Sequence, residues 1–359
     1  MRCGGASSAS SRRSSIDHAD TSAPASTTPW IRTIEGLARL TAALAGAGEI
    51  ALDTEGDSLH HYPERLSLIQ LADRAGRAWL IDPLAIPHLG PLGRLLAHPG
   101  VVVVLHAGDN DLAHLKRRHG FAFAAIFDTS IAARFLGAPA LGLDVLLAQH
   151  LGVELPPSRQ KDDWSARPLS KAQERYAVAD VQHLIGLKDR LVDELQRVGR
   201  VAWVAEECAA LASQPVPERV VDPEAFAEIK GARELAPRAL AALRELYELR
   251  EQLAVRSDRP PFKILGGDTL VRLAVGAPAD PTALAAISGC TPRVIARWGE
   301  AIQSALARAA ALPDSALPRL ERRGRPPLPA RVRRRIEALR QWRTAATPRF
   351  GLEAGVLLP

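Results

Sequence analysis

Two carboxylates separated by a single residue, Asp53 and Glu55, follow a short apolar run of Ile50, Ala51 and Leu52. Extended backbone sends successive side chains to opposite faces. A strand here sets Ile50, Leu52 and Thr54 on one side and Ala51, Asp53 and Glu55 on the other. Two anions projected together from a strand repel each other and gain no packing. A hard divalent cation bound between them through oxygen offsets that cost. Acidic strand ends are also ordinary in loops and turns, so the metal reading depends on further carboxylates converging on the pair. Asp57, a third acid in the same stretch, is read as facing solvent or substrate.

Three more residues extend the constellation. Asp111 follows the continuous apolar run at 101–105, at the end of a buried strand, where sites in α/β sheets are built. A plain acid at a helix start is the ordinary alternative, and Asp109 competes for that place. Tyr176 and Asp180 stand four apart and so share one helical face. Val181, Leu184 and Ile185 would press that helix onto the sheet and leave the pair at its margin, where a packed tyrosine and a solvated aspartate are also ordinary. His106 lies at the end of the strand that leads to Asp111, beside the candidate site. His60, His61, His114 and His119 show no ligand spacing with cysteine and read as surface or packing residues. Gly266-Gly267-Asp268 reads as a turn.

The elements that must position these side chains follow from periodicity. A tail rich in serine and arginine occupies residues 1–29, and a helix is predicted over 33–46 ahead of the Asp53 strand. Apolar runs at 66–71 and 78–82, joined by the turn-like 73–76, make an antiparallel meander with it. A helix is expected over 89–97. The β-branched run at 101–105 reads as a strand buried on both faces and parallel to its neighbours. A helix beginning near Asp111 stops at Gly120, and 125–128 is a further strand. Helices follow over 131–136 and 143–151, then an irregular stretch at 155–168. Ser170 and Gln173 have capping-box spacing and open one long helix toward Val198. These elements make a mixed α/β domain over 30–199. A helix and linker span 200–223, an all-helical domain 224–312, and a basic, proline- and arginine-rich segment 313–359, with an amphipathic stretch at 331–342.

Composition narrows the partners. The 359 residues are 47% hydrophobic with mean hydropathy of −0.04. That supports real cores, and no apolar run reaches the length a membrane helix needs. Cys3, Cys208 and Cys290 are scattered and odd in number, which argues against a disulfide framework or a zinc site and fits a cytoplasmic protein. A net charge of +6 and a pI of 9.6 tilt the chain modestly toward polyanions. Arg322, Arg323 and Arg325, with Arg333, Arg334 and Arg335, either hold a nucleic-acid backbone through counterion release or form a solvated basic face.

Taken as motifs, Asp53-Thr54-Glu55, His106 with Asp111-Leu112, and Tyr176 with Asp180 resemble the three exonuclease motifs of the DEDD family in its tyrosine branch. Leu68-Ile69-Gln70, Ile81-Asp82-Pro83, Phe127-Asp128-Thr129, Asp163-Trp164-Ser165 and Arg167-Pro168-Leu169 narrow the resemblance to ribonuclease D. Arg244-Glu245-Leu246-Tyr247, Asp258-Arg259-Pro260 and Ser288-Gly289-Cys290-Thr291-Pro292 are similar to the helicase-and-RNase-D C-terminal (HRDC) module. The likeness covers residues 30–312, and 328–359 looks like the start of a second HRDC copy. It departs from the family in lacking a lysine near Pro157. Arg175 is not the histidine of the sister branch, which leaves Tyr176 as the assignment.

The resemblance implies a ribonuclease-H-like mixed sheet followed by a helical HRDC domain. It implies a 3′–5′ exoribonuclease using two divalent metal ions, Mg²⁺ or Mn²⁺. Asp53, Glu55 and Asp180 would bind one ion, Asp53 would bridge to the other, and Asp111 would assist directly or through water. Tyr176 would orient the attacking water. The implied substrates are tRNA and other small RNA precursors with a free 3′ end, acted on by a monomer with no membrane partner. A DNA 3′–5′ exonuclease on the same scaffold and a catalytically inactive RNA-binding protein are the alternatives. No G-x4-G-K-[ST] phosphate loop is present, which excludes a helicase motor.

Overall fold

The alternating stretch at 49–56 forms the third strand in from one edge of a six-stranded sheet. In the computed structural model, which describes residues 28–217, 224–320 and 328–357, the strands are β1 (Trp30–Ile31), β2 (Glu49–Gly56), β3 (Leu66–Ala72), β4 (Ala78–Ile81), β5 (Val102–Leu105) and β6 (Ala125–Asp128). Their order is β1-β4-β3-β2-β5-β6. The meander β2-β3-β4 is antiparallel, whereas β5 runs parallel to both β2 and β6. Strand β2 is thus hydrogen-bonded along both edges. The mixed α/β sheet is the one the sequence implied, with one addition. β1 pairs in parallel with β4, and its two residues are too few for any periodicity to register.

The sheet's two faces are covered by different helices. Ile50, Leu52, Ile69, Leu71 and Ile81 pack with Leu37, Leu40 and Leu44 of α1 (Ile34–Leu44) and Leu92, Leu95 and Leu96 of α2 (Gly90–Leu96). Between β5 and β6 runs α3 (Asp109–His119), ended by Gly120 in the left-handed conformation. After β6 come α4 (Thr129–Leu136) and α5 (Leu143–Leu151). On the opposite face, Ala51, Ala72 and Val104 meet Val181, Leu184 and Ile185, while Leu68 and Leu80 meet Trp164, Tyr176 and Ala177.

One expected helix is two. The stretch opened by Ser170 divides into α6 (Lys171–Gln182) and α7 (Leu184–Arg197) at His183, whose φ of −110° and ψ of −1° interrupt the helix. The capping box of Ser170 and Gln173 is formed. α6 lies on the sheet through Tyr176, Ala177 and Val181, whereas α7 buries Leu187, Leu191 and Leu195 in the core that also takes Ala132 and Ala133 of α4. A single straight helix could not serve both surfaces.

α8 (Val201–Ser213) closes the domain, and its C-terminal carbonyls at Leu211, Ala212 and Gln214 accept hydrogen bonds from Lys116 Nζ of α3. The second unit is helical. It comprises α9 (Pro237–Ser257), α10 (Pro261–Ile264), α11 (Gly267–Gly276), α12 (Pro281–Ala285) and α13 (Pro292–Ala311), around Phe226, Leu243, Leu246, Leu270, Leu273 and Ile302. Thr291 caps α13 through Val294 N. Gly266 and Gly267 do not form a free-standing turn, since Gly266 is the N-cap and Gly267 the first residue of α11.

The basic segment forms α14 (Ala330–Phe350), which carries Arg333, Arg334 and Arg335 exposed. Its end returns to the sheet domain. Arg200 donates to the carbonyls of Phe135 and Phe350, and Leu352 is buried. Gly137 ends α4 at a positive φ, and a Cβ there would collide with the Gly351 carbonyl. The tail at 1–27, the linker residues 218–223 and the arginines Arg322, Arg323 and Arg325 lie outside the described residues.

Candidate active site

Strand β2 delivers Asp53 and Glu55 on the face that α6 covers. Asp53 stands opposite Gln70 of β3, and Glu55 opposite Leu68. From α6, Asp180 reaches the same point, so that Asp53, Glu55 and Asp180 each offer a carboxylate oxygen within 4.8 Å of the others. Tyr176, one turn earlier, packs against Trp164 with ring centroids 6.1 Å apart, and its phenol acts on the Asp180 carboxyl. Asp111 comes from the first turn of α3, where Thr54, lying between the two strand acids, donates its hydroxyl to Asp111 Oδ1. All five sequence-derived residues therefore converge. Asp111 stands beside the three-oxygen group rather than within it.

The electrostatics of this gathering are unfavourable on their own. Burial, then the charges of Asp111, Glu55 and Asp180, hold the Asp53 carboxyl well above the usual carboxylate range. Glu55 is pushed up to about 9 by burial and by Asp180, Asp111 and Asp162. Burial raises Asp180 to about 7 against the hydrogen bond from Tyr176. Asp111 rises to about 6 for the same reason, against hydrogen bonds from Thr54. Among the described residues the charges that raise Asp53 and Glu55 are all carboxylates. An all-oxygen donor set of clustered, uncompensated acids fits hard divalent cations, and dications at this point would reverse the direction of every one of these shifts.

The comparisons accord with this geometry. Residues 28–196 match the family model described as 3′-5′ exonuclease, and residues 239–306 match that of the HRDC domain. A ribonuclease D of Pseudomonas paraeruginosa is 37% identical over 317 residues, spanning 87% of this chain and 81% of that protein. The chain belongs to the ribonuclease D family. A ribonuclease D of Gluconacetobacter diazotrophicus is 38% identical over 303 residues, 84% of this chain and 76% of that one. The crystal structure of Escherichia coli RNase D, described as an exoribonuclease involved in structured RNA processing, superposes with a TM-score of 0.73 at 29% identity. It covers 93% of this chain and 88% of that one. The chain is accordingly a 3′–5′ exoribonuclease of the ribonuclease D type, and its family implies divalent metal ions and an RNA substrate.

Two readings of single residues need correction. Asp57 faces neither solvent nor substrate. It is 1% exposed, accepts from Arg65 N and Nε at 2.7 and 2.8 Å, and so braces the loop between β2 and β3. Buried acids are rarely left unpaired, but nothing in the local pattern announces a partner eight residues away. His106 turns away from the acid cluster, with Nδ1 2.9 Å from Thr129 Oγ1. Its neighbour there is Asp128, which is 1% exposed and takes the amides of Ala107 and Gly108 at 3.1 and 2.8 Å. Asp128 thereby fixes the turn into α3 and hence the position of Asp111. Ala107 adopts a φ of 51° in that turn.

Other functional positions escape a reading by motif chemistry alone. The Ser158 side chain acts on the Tyr176 phenol against its upward shift, and the Asp162 charge reaches Glu55. Both come from the irregular loop ahead of α6. That loop is anchored by Arg167, which grips Asp82 through Nε and Nη2 at 2.8 and 2.7 Å and donates to the carbonyls of Ser67 and Trp164. Gln70, fully buried opposite Asp53, finds no hydrogen-bond partner among the described residues. The family words Leu68-Ile69-Gln70 and Arg167-Pro168-Leu169 were the available signals for the last two.

Proposed function

We propose that this chain removes nucleotides from RNA 3′ ends by two-metal phosphodiester hydrolysis, with Asp53, Glu55, Asp111 and Asp180 as ligands to Mg²⁺ or Mn²⁺ and Tyr176 as the residue that orients the attacking water. The observation that carries this reading is the convergence of three carboxylate oxygens within 4.8 Å beside a tyrosine on the same helix face. A bound pair of divalent cations supplies the chemistry by making water a competent nucleophile near neutral pH and steadying the leaving oxygen. The protein's own groups do the positioning. Asp53, which feels the charges of Asp111, Glu55 and Asp180, would hold the ions together with them. Thr54 holds Asp111 in place through its hydroxyl.

Tyr176 is raised by burial and by the charges of Asp180 and Glu55, so its phenol stays protonated at neutral pH. A protonated phenol donates and accepts hydrogen bonds but is no base, which suits orientation of water. Tyrosine packing on Trp164 leaves the ring little freedom to leave that pose.

The proposed substrates are tRNA precursors and other small structured RNAs, in line with the role stated for the Escherichia coli enzyme. We take the working form to be a cytoplasmic monomer. Cys208 and Cys290 are buried free thiols, and among the described residues no helix is long and apolar enough to cross a membrane. The test is direct. Purified protein should shorten a single-stranded or tRNA-like RNA from its 3′ end only when Mg²⁺ or Mn²⁺ is present. Retention of that activity in Asp53→Ala or Asp180→Asn refutes the assignment.

A further inference from the structure

Three segments distant in sequence meet at His61. It lies on the loop between β2 and β3. Its Nδ1 is 2.7 Å from Oδ2 of Asp258, the C-cap of α9 in the helical domain. Its Nε2 is 3.3 Å from Oδ2 of Asp163, on the loop that precedes α6. Carboxylate oxygens only accept hydrogen bonds, so each ring nitrogen must donate. Neutral imidazole carries one N–H, and only the imidazolium carries two. The geometry is that of a charged ring held between two anions.

Neither anion is free to swing away. Asp163 Oδ1 accepts from Ser165 N and Oγ at 3.0 and 2.6 Å. Asp258 Oδ1 accepts from Tyr62 N at 3.1 Å. The neighbouring His60 Nε2 lies 2.9 Å from the Lys161 carbonyl, so two successive histidines tie the β2–β3 loop to the segment that carries Ser158 and Asp162. On the other side, Tyr62 packs on the helical core and its hydroxyl donates to Glu251 at 2.5 Å. The active-site loop and the helical domain thus meet on the two sides of one titratable side chain, with His60 and Tyr62 adding contacts beside it.

We propose that His61 is a positioning residue whose imidazolium clasps the helical domain to the active-site loop, so that loss of its proton separates the two units and loosens the hold on long RNA while leaving the hydrolytic step unchanged. The part of this that concerns RNA rests on the exoribonuclease reading above. The part that concerns domain separation does not.

The direction with pH follows from the groups around the ring. Burial opposes the charge, but hydrogen bonds and charges from Asp258 and Asp163 outweigh it and raise the pKa above the ordinary histidine value. Those two acids face the ring from α9 and from the loop. Glu251 stands behind Tyr62, and Arg65 acts on Asp258 from the other limb of the β2–β3 loop. A raised histidine pKa gives a contact fully present below the unfolded value of about 6.5 and lost as pH rises through the folded value.

The experiment uses the full chain. Small-angle scattering at about pH 6 and about pH 8.5, on either side of the histidine range, should show the wild type expanding at the higher pH. His61→Ala should be expanded at both. Asp258→Asn, which keeps a side chain that tolerates the left-handed backbone at this C-cap, serves as the second variant should His61→Ala fail to fold. With long single-stranded RNA at the lower pH, KM should rise about fivefold in either variant, the low end of ordinary coupling between sites. kcat on a dinucleotide should be unchanged. A wild-type radius independent of pH, or a pH response that survives in the variants, overturns the clasp. A fall in kcat at constant KM overturns it as well, because His61 would then act on the chemistry. An inactive wild type that still expands with pH would sink the exoribonuclease reading and leave the clasp standing.

Discussion

Stripped of metal by chelation, the protein should lose stability as the pH rises from about 5 to about 8, the reverse of the usual behaviour of paired surface acids. The cause is the acid cluster. Asp180 moves from 3.8 to about 7 on folding, and Glu55 from 4.5 to about 9. A carboxyl with a raised folded pKa binds more protons in the native state than in the unfolded chain. Stability is therefore lost from the unfolded pKa upward, through the folded value. For Asp180 alone the shift is roughly 3 units, or about 4 kcal/mol at 1.4 kcal/mol per unit. Protonating one acid relieves its neighbours, so the cluster does not sum, and a net loss of about 3 kcal/mol is expected, equivalent to a fall of about 6 to 12 °C in Tm for a domain of this size.

The assay is a thermal melt in chelator across this range, repeated with Mg²⁺. The ion should restore Tm near pH 8 and do little near pH 5, where the ligands are protonated. Buried histidines such as His106, held below the usual value by burial, pull in the opposite sense. The quantity to read is therefore the difference in slope between wild type and the Asp53→Asn, Asp180→Asn double variant. Equal slopes refute the reasoning, as does a Mg²⁺ effect independent of pH.

Two further outcomes test the site and its support. Tyr176→Phe should lower kcat about 100-fold with KM little changed, the order of loss expected when a reacting group is misplaced; single-turnover kinetics would separate the step from RNA binding. Arg167→Ala strands Asp82, which is 3% exposed, and should cost about 3 kcal/mol in denaturant unfolding. Arg167→Lys should recover only part of it, because a point charge cannot reproduce the two-pronged grip.

The clustered acids were legible because their spacing is dictated by local geometry. A strand alternates, so Asp53 and Glu55 must share a face, and a helix repeats, so Tyr176 and Asp180 must too. Their convergence with Asp111 came only from the family resemblance, since nothing local says that α3 and α6 reach the same end of β2. The break at His183 was illegible for a related reason. The apolar residues on either side of it keep helical spacing, and only the two different surfaces they pack against require the turn. Asp57, Arg167 and His61 show the same limit at longer range. Their partners Arg65, Asp82 and Asp258 lie 8, 85 and 197 residues away, and a charged residue's partner leaves no imprint on its own neighbourhood.

The stitch between Lys116 and the last carbonyls of α8 also governs how force travels. Force applied to the chain beyond Gln214 meets the sheet domain at the end of α8. At that root, Lys116 transfers the load to α3, the helix whose first turn holds Asp111. β2, laced along both edges, is the stiff abutment, and α3 is the member that can be drawn against it. Force entering there is thereby delivered toward Asp111, beside the three-oxygen group of Asp53, Glu55 and Asp180.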